Sequence, residues 1–410
     1  MLDTIVFVAQ IVLAFIGGYQ LLLSFFGWYR RKTKLEFPPQ KSFAILVAAH
    51  NEEKVIGALV ENLKQLNYPK ELYDIMVICD NCTDRTADIV REHGVYAFER
   101  TNPNKRGKGY AIEWMLNELW KLPRQYDAVV MLDADNLVDP DFLIHMNNDL
   151  CAGKKVIQGY LDTKNPNDSW ITAAYAVSYW YCNRLWQMPR TNLGLANYLG
   201  GTGMCFDAAF LKEMGWGATS LVEDLEFTMR CVQRGVFPYF DYDAKVYDEK
   251  PLTMRASARQ RLRWMQGHFN VARKFFLPLV WSGLRERSWA KIDTGLYALN
   301  VYNLFVGGLI AIILTADQLL PGKPYFSSLF EHAPWVFVSL YVLNLLQFPL
   351  ALLIEKAPKT IWKHLLSFPV YLVSWYPVTF YAFFTQNNKE WSHTKHTRVI
   401  RLEEMRKQVG

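Results

Sequence analysis

Cysteine is scarce in this 410-residue chain, and its six copies form no framework. Cys79, Cys82, Cys151, Cys182, Cys205 and Cys231 are scattered, which excludes a small disulfide-stapled fold and fits reduced thiols in a cytosolic domain. Cys79 and Cys82 make a lone CxxC around Asp80 and Asn81. No second CxxC completes a zinc site, so the two read as structural thiols at a strand end. Charge is modest at 20% of residues, and there is no low-complexity stretch or internal repeat, which argues against disorder and repeat arrays. No basic stretch carries a nucleic-acid module, so nucleic acid is not an expected partner. A cleaved leader is not expected, because Met1-Leu2-Asp3 is not basic and the first basic cluster follows the first apolar run.

What the chain does have is apolar and aromatic residues, 51% and 15%, including 14 Trp, 22 Tyr and 25 Phe. The net charge of +6 gathers beside hydrophobic runs, at Arg30, Arg31, Lys32 and Lys34, from Arg255 to Lys274 and from Lys389 to Lys407. That pattern suits anionic membrane lipids or phosphate groups. The run Ile5 to Tyr29 is long enough to cross a hydrocarbon core of about 30 Å. The basic cluster after it places the N-terminus outside and the next domain in the cytosol. Three more apolar runs follow, at Leu296 to Leu320, Trp335 to Ile354 and Leu365 to Phe384. The lysines between Lys356 and Lys363 belong inside. Parity then puts the tail outside, while its basic charge argues for the inside. Pro369 and Pro377 interrupt the last run, which is expected to be kinked or re-entrant. The side of the tail stays open. Between these regions Ala256 to Leu284 is basic and aromatic together, the pattern of one or two interfacial helices.

From Ser42 the pattern is that of a globular α/β domain. Phe43 to Ala49, Tyr73 to Cys79, Val95 to Phe98 and Tyr126 to Leu132 read as buried strands. Helical stretches separate them at 53–66, 83–93 and 108–120. Such alternation predicts a doubly wound, mostly parallel sheet with right-handed crossovers. Farther on, Ser169 to Arg190 and Glu223 to Arg234 read as helices, Gly200 to Gly203 as a turn, and Phe237 to Tyr247 as a strand pair. The expected organisation is a membrane helix at 1–35, a catalytic domain at 40–250, interfacial helices at 251–290, a membrane region at 291–388 and a basic tail at 389–410.

Ligands of such sheets bind beyond the carboxyl ends of the strands, and acids stand there. Asp133-Ala134-Asp135 follows a near-continuous apolar strand. Its two carboxylates suit Mg²⁺ or Mn²⁺, although solvated turns also contain the pattern. Asp80 closes the second strand and suits a nucleotide, with Thr83 or Asp84 as the helix cap. Glu223-Asp224 suits a base held by its neighbour, or simply a helix start. In Gln260-Arg261-Leu262-Arg263-Trp264, arginines two apart share no helical face. That spacing favours a diphosphate clamp with an aromatic wall over a plain membrane-binding face.

The ordered set Asp80, Asp133-x-Asp135, Glu223-Asp224 and Gln260-Arg261-x-Arg263-Trp264 resembles the signature of inverting family 2 glycosyltransferases. It looks most like the membrane-integrated branch that makes cellulose, chitin, hyaluronan or poly-N-acetylglucosamine. The resemblance spans about Ser42 to Gly267. It implies a GT-A fold, a UDP-sugar donor and a growing β-linked polysaccharide as acceptor; transfer to a membrane lipid is the alternative. By position it implies Asp80 at the uridine, Asp133 at the nucleotide, Asp135 on the metal and Asp224 as base beside Glu223. Gln260, Arg261, Arg263 and Trp264 would hold the diphosphate and line the acceptor site. Ala48, His50, Asn51 and Glu52 resemble a nucleotide-facing loop, Lys108 a donor-side loop, and Gly201-Thr202-Gly203 a turn beside the acceptor. Trp391, Thr394 and His396 resemble a tail motif of some synthases. The implied setting is a bacterial plasma membrane, with accessory secretion subunits as further possible partners.

Overall fold

The computed structural model of the chain describes residues 1–30, 36–321, 324–388, 396 and 398–409, the last three without their side chains. Arg31, Lys32, Lys34, Trp391 and Thr394 lie outside the described residues.

Eight strands form one mixed, mostly parallel sheet. The first four are β1 (Phe43–Ala49), β2 (Tyr73–Asp80), β3 (Tyr96–Arg100) and β4 (Ala128–Asp133). They pair in parallel in the order β3-β2-β1-β4. Strand β1 is apolar on both faces because both are covered. Phe43, Ile45 and Val47 pack with the helices Ile56–Lys64 and Phe142–Cys151, whereas Ala44 and Leu46 face the helices Lys108–Leu119 and Ala208–Met214. Successive side chains on a strand point to opposite faces, so a run such as Phe-Ala-Ile-Leu-Val serves two cores. Each large side chain buried this way contributes about 1.5–3 kcal/mol.

The rest of the sheet corrects the sequence expectation in two ways. Strands β5 (Leu137–Val138), β6 (Val156–Thr163), β7 (Met204–Asp207) and β8 (Tyr239–Asp248) continue the order as β7-β6-β8-β5. Strand β7 runs antiparallel to both β4 and β6, so the winding is not uniform. The expected strand pair at 237–247 is one strand, β8, whose register against β6 jumps from Asp241 to Lys245 across Gly159 and Tyr160. Such a bulge bends a strand without breaking it.

Among the described residues three helices are long and apolar enough to cross a membrane: Leu2–Gly27, Asn300–Leu319 and Pro334–Ile354. The fourth apolar run is not a single helix. It divides into short segments, Lys363–Leu366, Phe368–Val373 and Trp375–Thr385. Pro369 and Pro377 fall in the first turns of the last two, where a missing N–H costs nothing. The basic aromatic stretch is one long helix, Met254–Glu286, with Pro278 inside it. A buried ion pair between the helices Met188–Leu193 and Trp289–Ala298 also takes a hydrogen bond from Tyr19 of the first apolar helix. Arg190 Nε and Nη2 reach Asp293 at 2.9 and 3.0 Å, and Tyr19 OH donates to the same carboxylate at 2.8 Å.

Candidate active site

The carboxyl ends of β1, β2 and β4 open into one cavity of roughly 1530 Å³. The two loops at its rim hold each other in place. Asn51 and Asn81 both adopt positive φ, 55° and 51°, a conformation asparagine tolerates better than most residues. Asn51 Oδ1 accepts from Thr83 N at 2.7 Å, and Asp84 accepts from Glu53 N at 3.1 Å and Thr86 N at 3.0 Å. His50 Nδ1 lies 2.6 Å from the Asp80 carbonyl oxygen. Asp80 is buried and pairs with Arg100, its register partner on β3. Ala48, His50, Glu52 and Asp80 line one end of the cavity.

Asp133 and Asp135 line the middle. Lys108 pairs with Asp133 and also donates to the Gly201 carbonyl. Burial alone would lower Lys108, but Asp133, Glu223 and Asp224 outweigh it and hold the ammonium above its usual value. Asp135 is buried, accepts from Glu249 N at 2.9 Å, and lies beside His396 and Lys164. Burial would raise it, yet those neighbours keep it below the ordinary carboxylate range. His396 Nδ1 stands 2.9 Å from Glu52 Oε1, and its Nε2 is 3.8 Å from Asp135. Burial opposes its charged form, but Asp135 and Glu52 push His396 up to about 10.

Glu223 and Asp224 open the helix Glu223–Gln233 at the far wall. Asp224 Oδ1 accepts from Leu225 N at 2.8 Å. Its other oxygen lies where a side chain on Gly201 would place a Cβ at 3.3 Å, and Gly201 has φ +87°. Glycine therefore both makes this turn and leaves room for the acid. Burial, then the charge of Asp224, pushes Glu223 up to about 7. Burial also raises Asp224, opposed by Lys108 and Arg263.

The helix Met254–Glu286 closes the cavity with Gln260, Arg263 and Trp264. Gln260 accepts from Tyr175 OH at 3.0 Å, and Trp264 meets the Tyr175 ring edge-on at 6.3 Å. Among the described residues nothing pairs with the Arg263 guanidinium, which is left for a ligand. Arg261 is a correction. It was expected at the diphosphate, but it is wholly buried on the other side of the helix. It donates to Ser374 Oγ at 2.9 Å and lies between the Tyr371 and Trp375 rings, 4.8 and 4.9 Å from their centroids. The reason is helical geometry: about 100° per residue turns positions two apart to opposite faces.

Sequence reasoning missed Asp248 and His268. Asp248 ends β8 and lines the cavity, and its Oδ1 is buried with no hydrogen-bond partner among the described residues. Burial, with the nearby charges of Asp135 and Asp133, pushes it up to about 6 despite Lys250 at 2.5 Å. A strand-end acid was the available signal, as at Asp80 and Asp133. His268, one turn after Trp264, carries no sequence signal. Its Nε2 is buried and unpartnered among the described residues, and burial pushes it down to about 4. Asp133, Asp135 and Asp248 all line the cavity with hard carboxylate oxygens, and the orphaned Asp248 oxygen fits a divalent cation.

An acid-rimmed cavity at the carboxyl ends of a wound sheet, closed by a basic helix with an aromatic face, has the layout of an enzyme for anionic nucleotide substrates. The family model described as "Glycosyltransferase like family 2" matches residues 38–267, over half of the chain and every motif from Ala48 to Trp264. The chain belongs to glycosyltransferase family 2. It is 30% identical over 241 residues to the probable glycosyltransferase YdaM of Bacillus subtilis, covering 57% of this chain and 56% of that protein. It is 31% identical over 239 residues to a β-monoglucosyldiacylglycerol synthase of Nostoc sp., covering 55% and 48%. These two matches thus span about half the length of each relative. A poly-β-1,6-N-acetyl-D-glucosamine synthase of Staphylococcus epidermidis is 24% identical over 370 residues, covering 85% and 82%. Among solved structures, a mannosyltransferase of Pyrobaculum calidifontis in complex with GDP-Man and Mn²⁺ superposes with a TM-score of 0.57. It is 17% identical and covers 88% of this chain and 99% of that one, a likeness of fold.

Proposed function

We propose that this chain moves a sugar from a UDP-sugar to a growing β-linked polysaccharide, by metal-dependent single displacement with inversion, at the cytosolic face of a bacterial plasma membrane. The observation that carries the reading is convergence. Asp80, Asp133, Asp135, Asp224, Gln260, Arg263 and Trp264 are distant in sequence yet line one cavity. In this reading Asp224 accepts the proton of the acceptor hydroxyl. The hydroxyl oxygen attacks the anomeric carbon as the bond to the diphosphate oxygen breaks. Arg263 and Lys108 meet the charge left on the diphosphate. Trp264 and Tyr175 offer a wall for a sugar face. Asp135, with Asp133 and Asp248, would hold Mg²⁺ or Mn²⁺, which neutralises charge on the leaving group.

Polymer is favoured over lipid by the S. epidermidis relative, whose match extends beyond the catalytic motifs over 85% of this chain. A lipid acceptor is the second reading. It is favoured by the Nostoc relative's name and by Tyr371 and Trp375 of the broken apolar run, which line the same cavity. Topology fits either reading. Three crossings rather than four leave the tail on the same side as the catalytic domain, which is where His396 meets Glu52.

The test is a donor screen on purified protein with Mg²⁺ or Mn²⁺. UDP-glucose, UDP-N-acetylglucosamine and GDP-mannose would be offered, reading released nucleotide and product mass. A ladder of products supports polymerisation; a single glycolipid supports the second reading. Asp224→Asn should lower transfer by about 10²–10⁴-fold while donor binding persists. Near-normal turnover in that variant would remove Asp224 from the role of base.

A further inference from the structure

A further Asp-x-Asp, Asp241-Tyr242-Asp243, lies on β8. We propose that it forms, with His145 and Asp149, a divalent-cation site remote from the active-site cavity, taking Mn²⁺ or Zn²⁺. Both acids lie at the β8 bulge, where Asp243 N donates to Asp241 Oδ1 at 2.7 Å. His145 and Asp149 are four apart on the helix Phe142–Cys151 and share a face there. One ligand atom from each of His145, Asp241 and Asp243 lies within 4.8 Å of the others.

A second, independent feature points to a ligand. Asp149 is only 6% exposed, and its Oδ2 has no hydrogen-bond partner among the described residues. Its carboxyl lies against that of Asp241. Two carboxylates are acceptors only, so their contact needs a proton or a cation between them. Neither nearby cation is hydrogen-bonded to Asp149 itself. Arg30, just past the first membrane helix, pairs with Asp243, and Lys154 holds its ammonium over the Tyr239 ring at 4.6 Å. An imidazole among carboxylates suits Mn²⁺ or Zn²⁺ better than Mg²⁺ or Ca²⁺. The bulge shortens β8, so from Asp241 to Asp248 it passes only four β6 positions, Gly159 to Thr163, about 13 Å. A cation here would tie β8 to the helix Phe142–Cys151 and, through Arg30, to the end of the first membrane helix. It would also register in any metal titration aimed at Asp135.

The experiment measures Mn²⁺ and Zn²⁺ binding to the full chain in detergent, by calorimetry and elemental analysis. It is run in an Asp135→Ala background so that the active-site cation does not contribute. One cation per chain should remain, and it should raise the melting temperature. Adding Asp241→Asn with Asp243→Asn should abolish it. Adding His145→Gln alone, a milder change, should weaken it tenfold or more. The proposal is overturned if Asp135→Ala protein binds no cation, or if the cation it binds survives these changes. A proton shared by Asp149 and Asp241 then accounts for the cluster.

Discussion

Glu223 should weaken the fold at alkaline pH, and Glu223→Gln should relieve this in a pH-dependent way. In the apo protein burial, then the neighbouring Asp224 charge, lifts Glu223 from 4.5 to about 7, net of the opposing pull of Lys108 and Arg263. The folded state therefore holds a proton that the unfolded chain has already lost. For an acid raised in this way, the stability present below the unfolded value is lost as pH rises toward the folded value. The window here runs from 4.5 to about 7. Linkage across it gives a penalty of roughly 3 kcal/mol at pH 8 and under about 1 kcal/mol at pH 5. Solvent reaching the half-buried carboxyl reduces both figures. Glutamine keeps the shape and cannot ionise. Thermal unfolding in detergent, without donor or metal, should show Glu223→Gln melting about 3–4 °C higher than the parent at pH 8. At pH 5 the two should differ by about 1 °C or less. An equal gain at both pH values, or a variant less stable at pH 8, would refute the reasoning. Donor and metal are omitted because their charges rewrite the field around the pair.

The two arginines of the basic helix should separate cleanly. Arg263→Ala should keep the parent's melting temperature but lose about 10²–10³-fold in turnover, whereas Arg261→Ala should lower the melting temperature first. Gly201→Ala should cost about 1 kcal/mol of stability, because its φ of +87° disfavours a side chain. Its new methyl would crowd Asp224, so turnover should fall more than donor affinity, by about tenfold or more. Removing one half of the buried Arg190–Asp293 pair, as in Arg190→Leu, should destabilise by about 3–5 kcal/mol. Replacing both partners with apolar residues should cost much less; scanning calorimetry of the single and double variants checks this.

The first half of the sheet was legible because parallel strands covered on both faces leave unbroken apolar runs, as in Phe43–Ala49 and Tyr73–Asp80. Strand-end acids then followed from the position of the strand ends. The second half was harder. Strand β7 is short and antiparallel, and the bulge in β8 leaves no periodic trace. Asp248 was passed over because Tyr-Asp-Glu-Lys looks like any charged loop. Asp241-Tyr242-Asp243 was masked by aromatic neighbours that read as an alternating strand. Its partner Asp149 sits in a helix of ordinary composition, and only the fold brings the two together. The break in the last apolar run was legible, since prolines mark it. With that run expected to be kinked or re-entrant, three helices long enough to cross remain among the described residues.

Arg261 and Arg263 show how the cavity is tied to the membrane part of the molecule. They leave one helix on opposite sides, one held by Tyr371, Ser374 and Trp375 of the broken apolar run, the other facing the acids at the sheet's edge. A rotation of that helix about its axis would move both at once. Arg263 could not swing out of the cavity without pulling Arg261 from between two aromatic rings. A desolvated guanidinium in such a slot resists removal by about 2 kcal/mol or more. The broken run is therefore better understood as the backing that fixes the orientation of the basic helix than as a failed membrane crossing. Two of its aromatic side chains, Tyr371 and Trp375, also line the cavity. One short segment thus holds the basic helix from behind and forms part of the wall that an acceptor would meet.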